Sequence, residues 1–164
     1  MPPSQLGLLP SFVRNTAQPR LLYVLKAWAV SLAGSVLLSL LISGLSETPP
    51  SPEFPQEGGS LVFWLVVFAP VVETFIMVPP LLVLDRLVGP LWAIAGSALG
   101  WGIVHSLAEP GWGLVIWWPF TIFSTVLLVW RPHGLAKAIL MVIAIHALQN
   151  AVPALALLAD RGVI

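Results

Sequence analysis

Cysteine is absent from this 164-residue chain. Disulfides, thiol nucleophiles and thiolate metal sites are excluded with it. Charge is scarce too: 9% of residues are Asp, Glu, Lys or Arg, and 7 basic side chains balance 7 acidic ones. A neutral chain with so few cations has no electrostatic footprint for nucleic acid. Other signals are also missing. There is no internal repeat, no His-Glu-x-x-His and no nucleophile elbow. The first apolar run is about 25 residues, too long for the core of a secretory signal, and no A-x-A-like cleavage site follows it.

Hydrocarbon is plentiful. Hydrophobic residues make up 58% of the chain, and the mean hydropathy is +0.96, well outside the range of a soluble domain. Apolar runs of about 18 residues or more read as transmembrane helices. Five such runs are expected, at about 21–45, 60–84, 88–108, 112–130 and 135–158. Residues 1–20 read as a cytoplasmic tail or short interfacial segment, and 21–164 as a single transmembrane domain. The acidic, Pro-rich stretch 46–59 reads as a loop, Asp85-Arg86 as a polar turn, and 109–111 and 131–134 as two further turns. With five spans and the N-terminus inside, Arg14, Arg20, Lys26, Arg86, Arg131 and Lys137 fall inside, and only Arg161 falls outside. That bias sets the orientation. The expected fold is therefore all-α, a polytopic transmembrane helical bundle with a cytoplasmic N-terminus.

Three ionisable residues interrupt the apolar runs: Glu73 in FAPVVETFIMV, His105 in WGIVHS and His146 in MVIAIHALQNAV. Such a group costs about 2.5–3.5 kcal/mol at the centre of a membrane helix, so each is a functional candidate by default. His146 and Asn150 are four apart and share a helix face, as do Trp101 and His105. Gly96, Gly100 and Gly102 allow a neighbouring helix to approach His105. Pro79-Pro80 should kink or end the second span just after Glu73. Counted from the inner turns, Glu73 and His146 fall near the bilayer centre and His105 nearer the outer edge. The spacing predicts one cavity lined by Glu73, His105, His146 and Asn150.

A glutamate beside a histidine is a water-activating arrangement. A second histidine with an asparagine at i+4 can polarise a carbonyl and donate to the developing oxyanion. Together they suit amide hydrolysis without a covalent intermediate. Ser106 and Thr74 lie beside these residues in sequence but lack the surroundings of a serine nucleophile. No cofactor is required. The alternative is zinc, since two histidines and a carboxylate match a catalytic zinc set with an open position; that use of Glu73 would leave no obvious general base. A non-enzymatic role, in peptide binding or proton-linked transport, is the alternative from another class. Of the remaining polar residues, Glu109 reads as a turn residue near the cavity mouth and His133 as solvated. The tryptophans read as interfacial belts, with Trp117-Trp118 as candidate liners of a substrate groove.

APVVETFIMV, WGIVHS and HALQN resemble, in order, the three motifs of the CAAX-protease and bacteriocin-processing (Abi) family of intramembrane proteases. These motifs are Pro-x-x-Glu-Glu-x-x-x-Arg, Phe-x-x-x-His and His-x-x-x-Asn or Asp. The resemblance covers about residues 60–155. Thr74 stands where the family has its second Glu, Val78 where it has Arg, and Trp101 where it has Phe. The Glu and Arg are lost together, as a structural pair would be. The resemblance implies that Glu73 and His105 activate water and that His146 with Asn150 forms the oxyanion site. It also implies a membrane-associated protein or peptide as substrate and C-terminal processing or sorting as the setting, while the short chain and the Lys/Arg distribution suit a bacterial inner membrane as the location.

Overall fold

The computed structural model describes residues 11–45 and 54–164. The first ten residues of the tail and residues 46–53 of the acidic loop lie outside the described residues. The chain is an all-α bundle, with no strand among the described residues. A single turn, α1 (Ser11–Arg14), precedes the long α2 (Arg20–Leu45). A 31-residue rod then runs over Gly58–Val88. It consists of α3 (Gly58–Val62), a π-helical segment (Phe63–Phe68) and α4 (Ala69–Val88). After it come α5 (Pro90–Ser106), α6 (Pro110–Trp130), a 3-10 turn (Arg131–His133) and α7 (Leu135–Asp160).

The core is organised around α6. Ile122–Trp130 is buried at every position, the mark of an apolar helix enclosed by its neighbours. Its polar side chains bond locally: the Thr121 and Thr125 hydroxyls donate to carbonyls one turn back, at 2.9 and 2.7 Å, and the Ser124 hydroxyl meets Ser97 Oγ on α5 at 2.9 Å. The outside of the bundle is apolar. Leu21, Leu37, Leu40, Phe75, Ile76, Leu87, Trp92 and Leu140 are all exposed, as expected for a surface solvated by lipid.

Four helices are long and apolar enough to cross a membrane: Arg20–Leu45, Gly58–Val88, Pro110–His133 and Leu135–Asp160. Helix α5, which falls on the third of the five expected spans, has 17 residues. It nevertheless connects the two ends of the bundle. It starts beside the end where Arg131 pairs with Asp85 at 2.7 Å. It finishes at the end where His105 meets Trp112, and Trp112 meets Phe54.

Two local expectations are corrected. Asp85-Arg86 is not a turn. Helix α4 continues to Val88, and the chain reverses at Gly89, whose φ of 82° suits a residue without a Cβ. Asp85 is instead a nearly buried ion-pair partner, with its side chain 6% exposed. Nor does the helix end at Pro79-Pro80. Both rings are exposed inside α4, so the carbonyls they leave without donors belong to the outward residues Phe75 and Ile76. The irregularity lies earlier, in the π-segment.

The end of the tail folds onto the bundle. Val13 is buried, and its carbonyl accepts from the Tyr23 hydroxyl at 3.0 Å. Gln18 Nε2 donates to the Phe12 carbonyl at 2.9 Å, and Thr16 Oγ1 lies 2.8 Å from Nε2 of the exposed His133. Residues 11–19 are thus held against the bundle by these contacts.

Candidate functional site

The site is built from α4, α5, α6 and α7. Glu73 and His146 come together across α4 and α7: Oε2 lies 3.7 Å from Nε2. That is ion-pair range and too long for a hydrogen bond. The two side chains differ in access. His146 is almost fully buried, while the Glu73 side chain is 23% exposed. The His146 ring stacks on Phe123, with centroids 4.5 Å apart and planes at 29°, and meets the edge of Phe120 at 5.6 Å. Its Nδ1 is buried without a hydrogen-bond partner.

His105 also packs against Phe120. Its ring centroid is 5.7 Å from that of Phe120 and 4.8 Å from that of Trp112, against which it stands edge-on. Trp101 stacks flat on Phe120 at 4.4 Å. Trp101 and His105 do share a face, and they are bonded: His105 Nδ1 is 2.8 Å from the Trp101 carbonyl. A carbonyl only accepts, so Nδ1 carries the hydrogen, and in the neutral ring Nε2 keeps its lone pair. The imidazole beside the Glu73 carboxyl is therefore that of His146, and both histidine rings contact Phe120.

Asn150 is committed to backbone. Its Nδ2 donates to the Leu65 carbonyl, in the π-segment, at 3.0 Å. The sequence accounts for that acceptor. In the π-segment, N–H groups bond five residues back, and Ala69 donates to Trp64. The next donor in that register would be residue 70, for the Leu65 carbonyl. Residue 70 is proline and has no N–H. Asn150 supplies the missing donor from another helix.

The predicted close approach is carried by one of the three glycines. A Cβ on Gly102 would lie 3.2 Å from the Gly113 carbonyl and 3.3 Å from Trp117 Cβ. Gly113 on α6 is the other half of the crossing, against the Gly102 carbonyl and Ser106 Oγ. Gly96 faces only Leu84, and Gly100 faces nothing within 4 Å. Trp118 is a packing residue, contrary to the groove expected of it. Its Nε1 donates to the Val30 carbonyl at 3.1 Å, and its ring fills the space left by Gly34 on α2. Trp117 is 39% exposed. Glu109 caps α6, accepting from Gly111 at 3.4 Å.

Among the described residues, no group of three or more His, Asp or Glu side chains is placed to hold a metal ion. The donors of the zinc alternative are not gathered around one point. The sequence reading missed Phe120 and Phe123, the rings that seat both histidines. Their spacing, with Leu127 four further on, is a helical core stripe, masked by an α6 that is apolar on every side. It also missed the Leu65 carbonyl, which Pro70 signals.

No protein-family profile, curated protein or solved structure matches the chain.

Proposed function

We propose that the chain is an intramembrane endopeptidase of glutamate type. The observation that supports this best is the Glu73–His146 pair, a carboxylate 3.7 Å from an imidazole between two apolar helices. Stability alone is a poor reason for it, since interhelical polar contacts in membranes average only about 0.6 kcal/mol against an insertion cost of about 2.5–3.5 kcal/mol per ionisable group.

In this reading Glu73 takes a proton from water as the water oxygen adds to a peptide carbonyl carbon. His146 orients the carboxylate. His105, with its Nδ1 hydrogen on Trp101, accepts the second hydrogen bond of the water at Nε2. The carbonyl electrons move onto oxygen, and that oxyanion receives the second hydrogen of the Asn150 amide. When the C–N bond breaks, Glu73 returns its proton to the leaving nitrogen. The substrate is a membrane-associated protein or peptide, processed near its C-terminus. The resemblance to the Abi family supports the same assignment. Its departures fit the interior of α4: Thr74 and Val78 are both buried, and replacing a buried ion pair by less polar residues is often neutral for stability. We further propose that α5 is a fifth span, because 17 residues at about 1.5 Å each give roughly 25 Å, near the lower limit for a crossing. The N-terminus is then cytoplasmic, in a bacterial inner membrane.

The test compares the termini of membrane proteins, by mass spectrometry, in cells carrying the wild type or Glu73→Gln. The substitution keeps shape and removes the base. Uncleaved precursors should accumulate, with cleavage lowered about 10²–10⁴-fold. Unchanged termini at equal protein abundance would reject the protease and favour binding or transport.

A further inference from the structure

Pro70 and Asn150 are far apart in sequence and bear on one atom. Proline at position 70 leaves the Leu65 carbonyl without its helical donor, and the Asn150 amide on α7 fills that place at 3.0 Å. Away from bulk water a freed backbone carbonyl needs a donor close by, and here that donor is Asn150. Leu65 and Glu73 lie on one continuous rod, and Asn150 and His146 lie one turn apart on α7. The rod and α7 are antiparallel: Arg161, just past α7, donates to the carbonyls of Gln56 and Phe54, just before α3. A bond at Leu65 therefore fixes how far α7 slides along the rod about two turns from Glu73. The direction of the side chains agrees. Helical side chains lean toward their own N-terminus, so Glu73 reaches back toward the π-segment, and His146 approaches it from the opposite side.

We propose that Pro70 and Asn150 form a matched pair that sets the register between the helix of Glu73 and the helix of His146, with Asn150 as a positioning residue whose need is created by Pro70. The pair deepens the functional reading above, in that the two groups it aligns are the base of that reading and the imidazole that orients it. Its readout is helix register and not peptide cleavage, so either can fail without the other.

The consequence peculiar to this account is suppression. Asn150→Leu leaves the Leu65 carbonyl unbonded. Pro70→Ala restores an N–H in the rod and makes the side chain at 150 dispensable. The chain has no cysteine, so Glu73→Cys with His146→Cys gives one thiol pair for a short bis-methanethiosulfonate cross-linker in native membranes. Replacing both residues also removes their own contact, which leaves the Asn150 bond to act on the register. Cross-linking should fall about threefold to tenfold on adding Asn150→Leu, the weight of one interhelical hydrogen bond in a membrane. It should return to the starting level on adding Pro70→Ala as well. If the Asn150→Leu chain fails to accumulate and the Pro70→Ala, Asn150→Leu chain does accumulate, the suppression is the same result. Unchanged cross-linking in Asn150→Leu would overturn the proposal. So would a loss, of cross-linking or of protein, that Pro70→Ala does not reverse.

Discussion

The two histidines differ in what their rings touch, and this allows packing and chemistry to be separated one side chain at a time. His105 has aromatic neighbours in Trp101, Trp112 and Phe120, and one polar contact, to the backbone of its own helix. A phenyl ring keeps the first set and loses the second. His105→Phe should therefore fold to within about 1 kcal/mol of the wild type, the size of a single hydrogen bond. If His105 holds the water, cleavage should fall by about 10²–10⁴-fold in the same protein. Thermal denaturation in detergent beside a cleavage assay reads both. Full activity in His105→Phe would reduce His105 to an aromatic spacer. The residues themselves were easy to find, because an ionisable group in a 58% hydrophobic chain stands out. Their partners were harder. Apolar runs do not tell which carboxylate meets which imidazole, and the pairing of Glu73 with His146 depends on helix rotation, which spacing alone leaves open.

At the scale of elements, the α5–α6 crossing makes the sharpest claim. Gly113 sits against the Gly102 carbonyl and Ser106 Oγ, whereas Gly100 on the same α5 faces open space. Gly113→Ala should push the two helices apart and destabilise by about 1–3 kcal/mol, as overpacking does. Gly100→Ala should be neutral or stabilise by up to about 1 kcal/mol, because it only removes the backbone freedom of glycine. Melting temperatures of the two purified variants settle the comparison, and equal losses would mean that the crossing is not tight. Helix positions were legible from composition to within a few residues, and the turns at Glu109 and Gly134 were legible from their Pro and Gly. The stop at Gly89 was not, because Asp85-Arg86 looks like a polar turn until Asp85 is seen buried against Arg131. The π-segment was not legible either, since Phe63–Phe68 is as apolar as any α-helical run.

The whole molecule separates its charge by end. Asp85, Arg86, Arg131 and Lys137 gather at one end, and Glu57, Glu109, Asp160 and Arg161 at the other. Four long helices and one short one connect these ends, and the number of crossings decides where the chain finishes. Five crossings put Asn15 and Gly162 on opposite faces of the membrane; four put them on the same face. Single cysteines introduced at these positions, labelled with an impermeant maleimide in intact and in broken cells, should report opposite faces. The same face for both would demote α5 to a re-entrant element. Class and bundle were readable from hydropathy, but the centrality of α6 was not, since every helix here is apolar and only packing distinguishes the innermost.

The bond between Asn150 and Leu65 spans 85 residues of sequence. At a synthesis rate of about 5–20 residues per second, the ribosome needs roughly 4–17 s to make that length. During that interval the Leu65 carbonyl lacks the donor that completes it in the folded chain. The rod therefore stays incomplete until synthesis has passed Asn150, and its pairing with α7 is a late step in the folding of the chain.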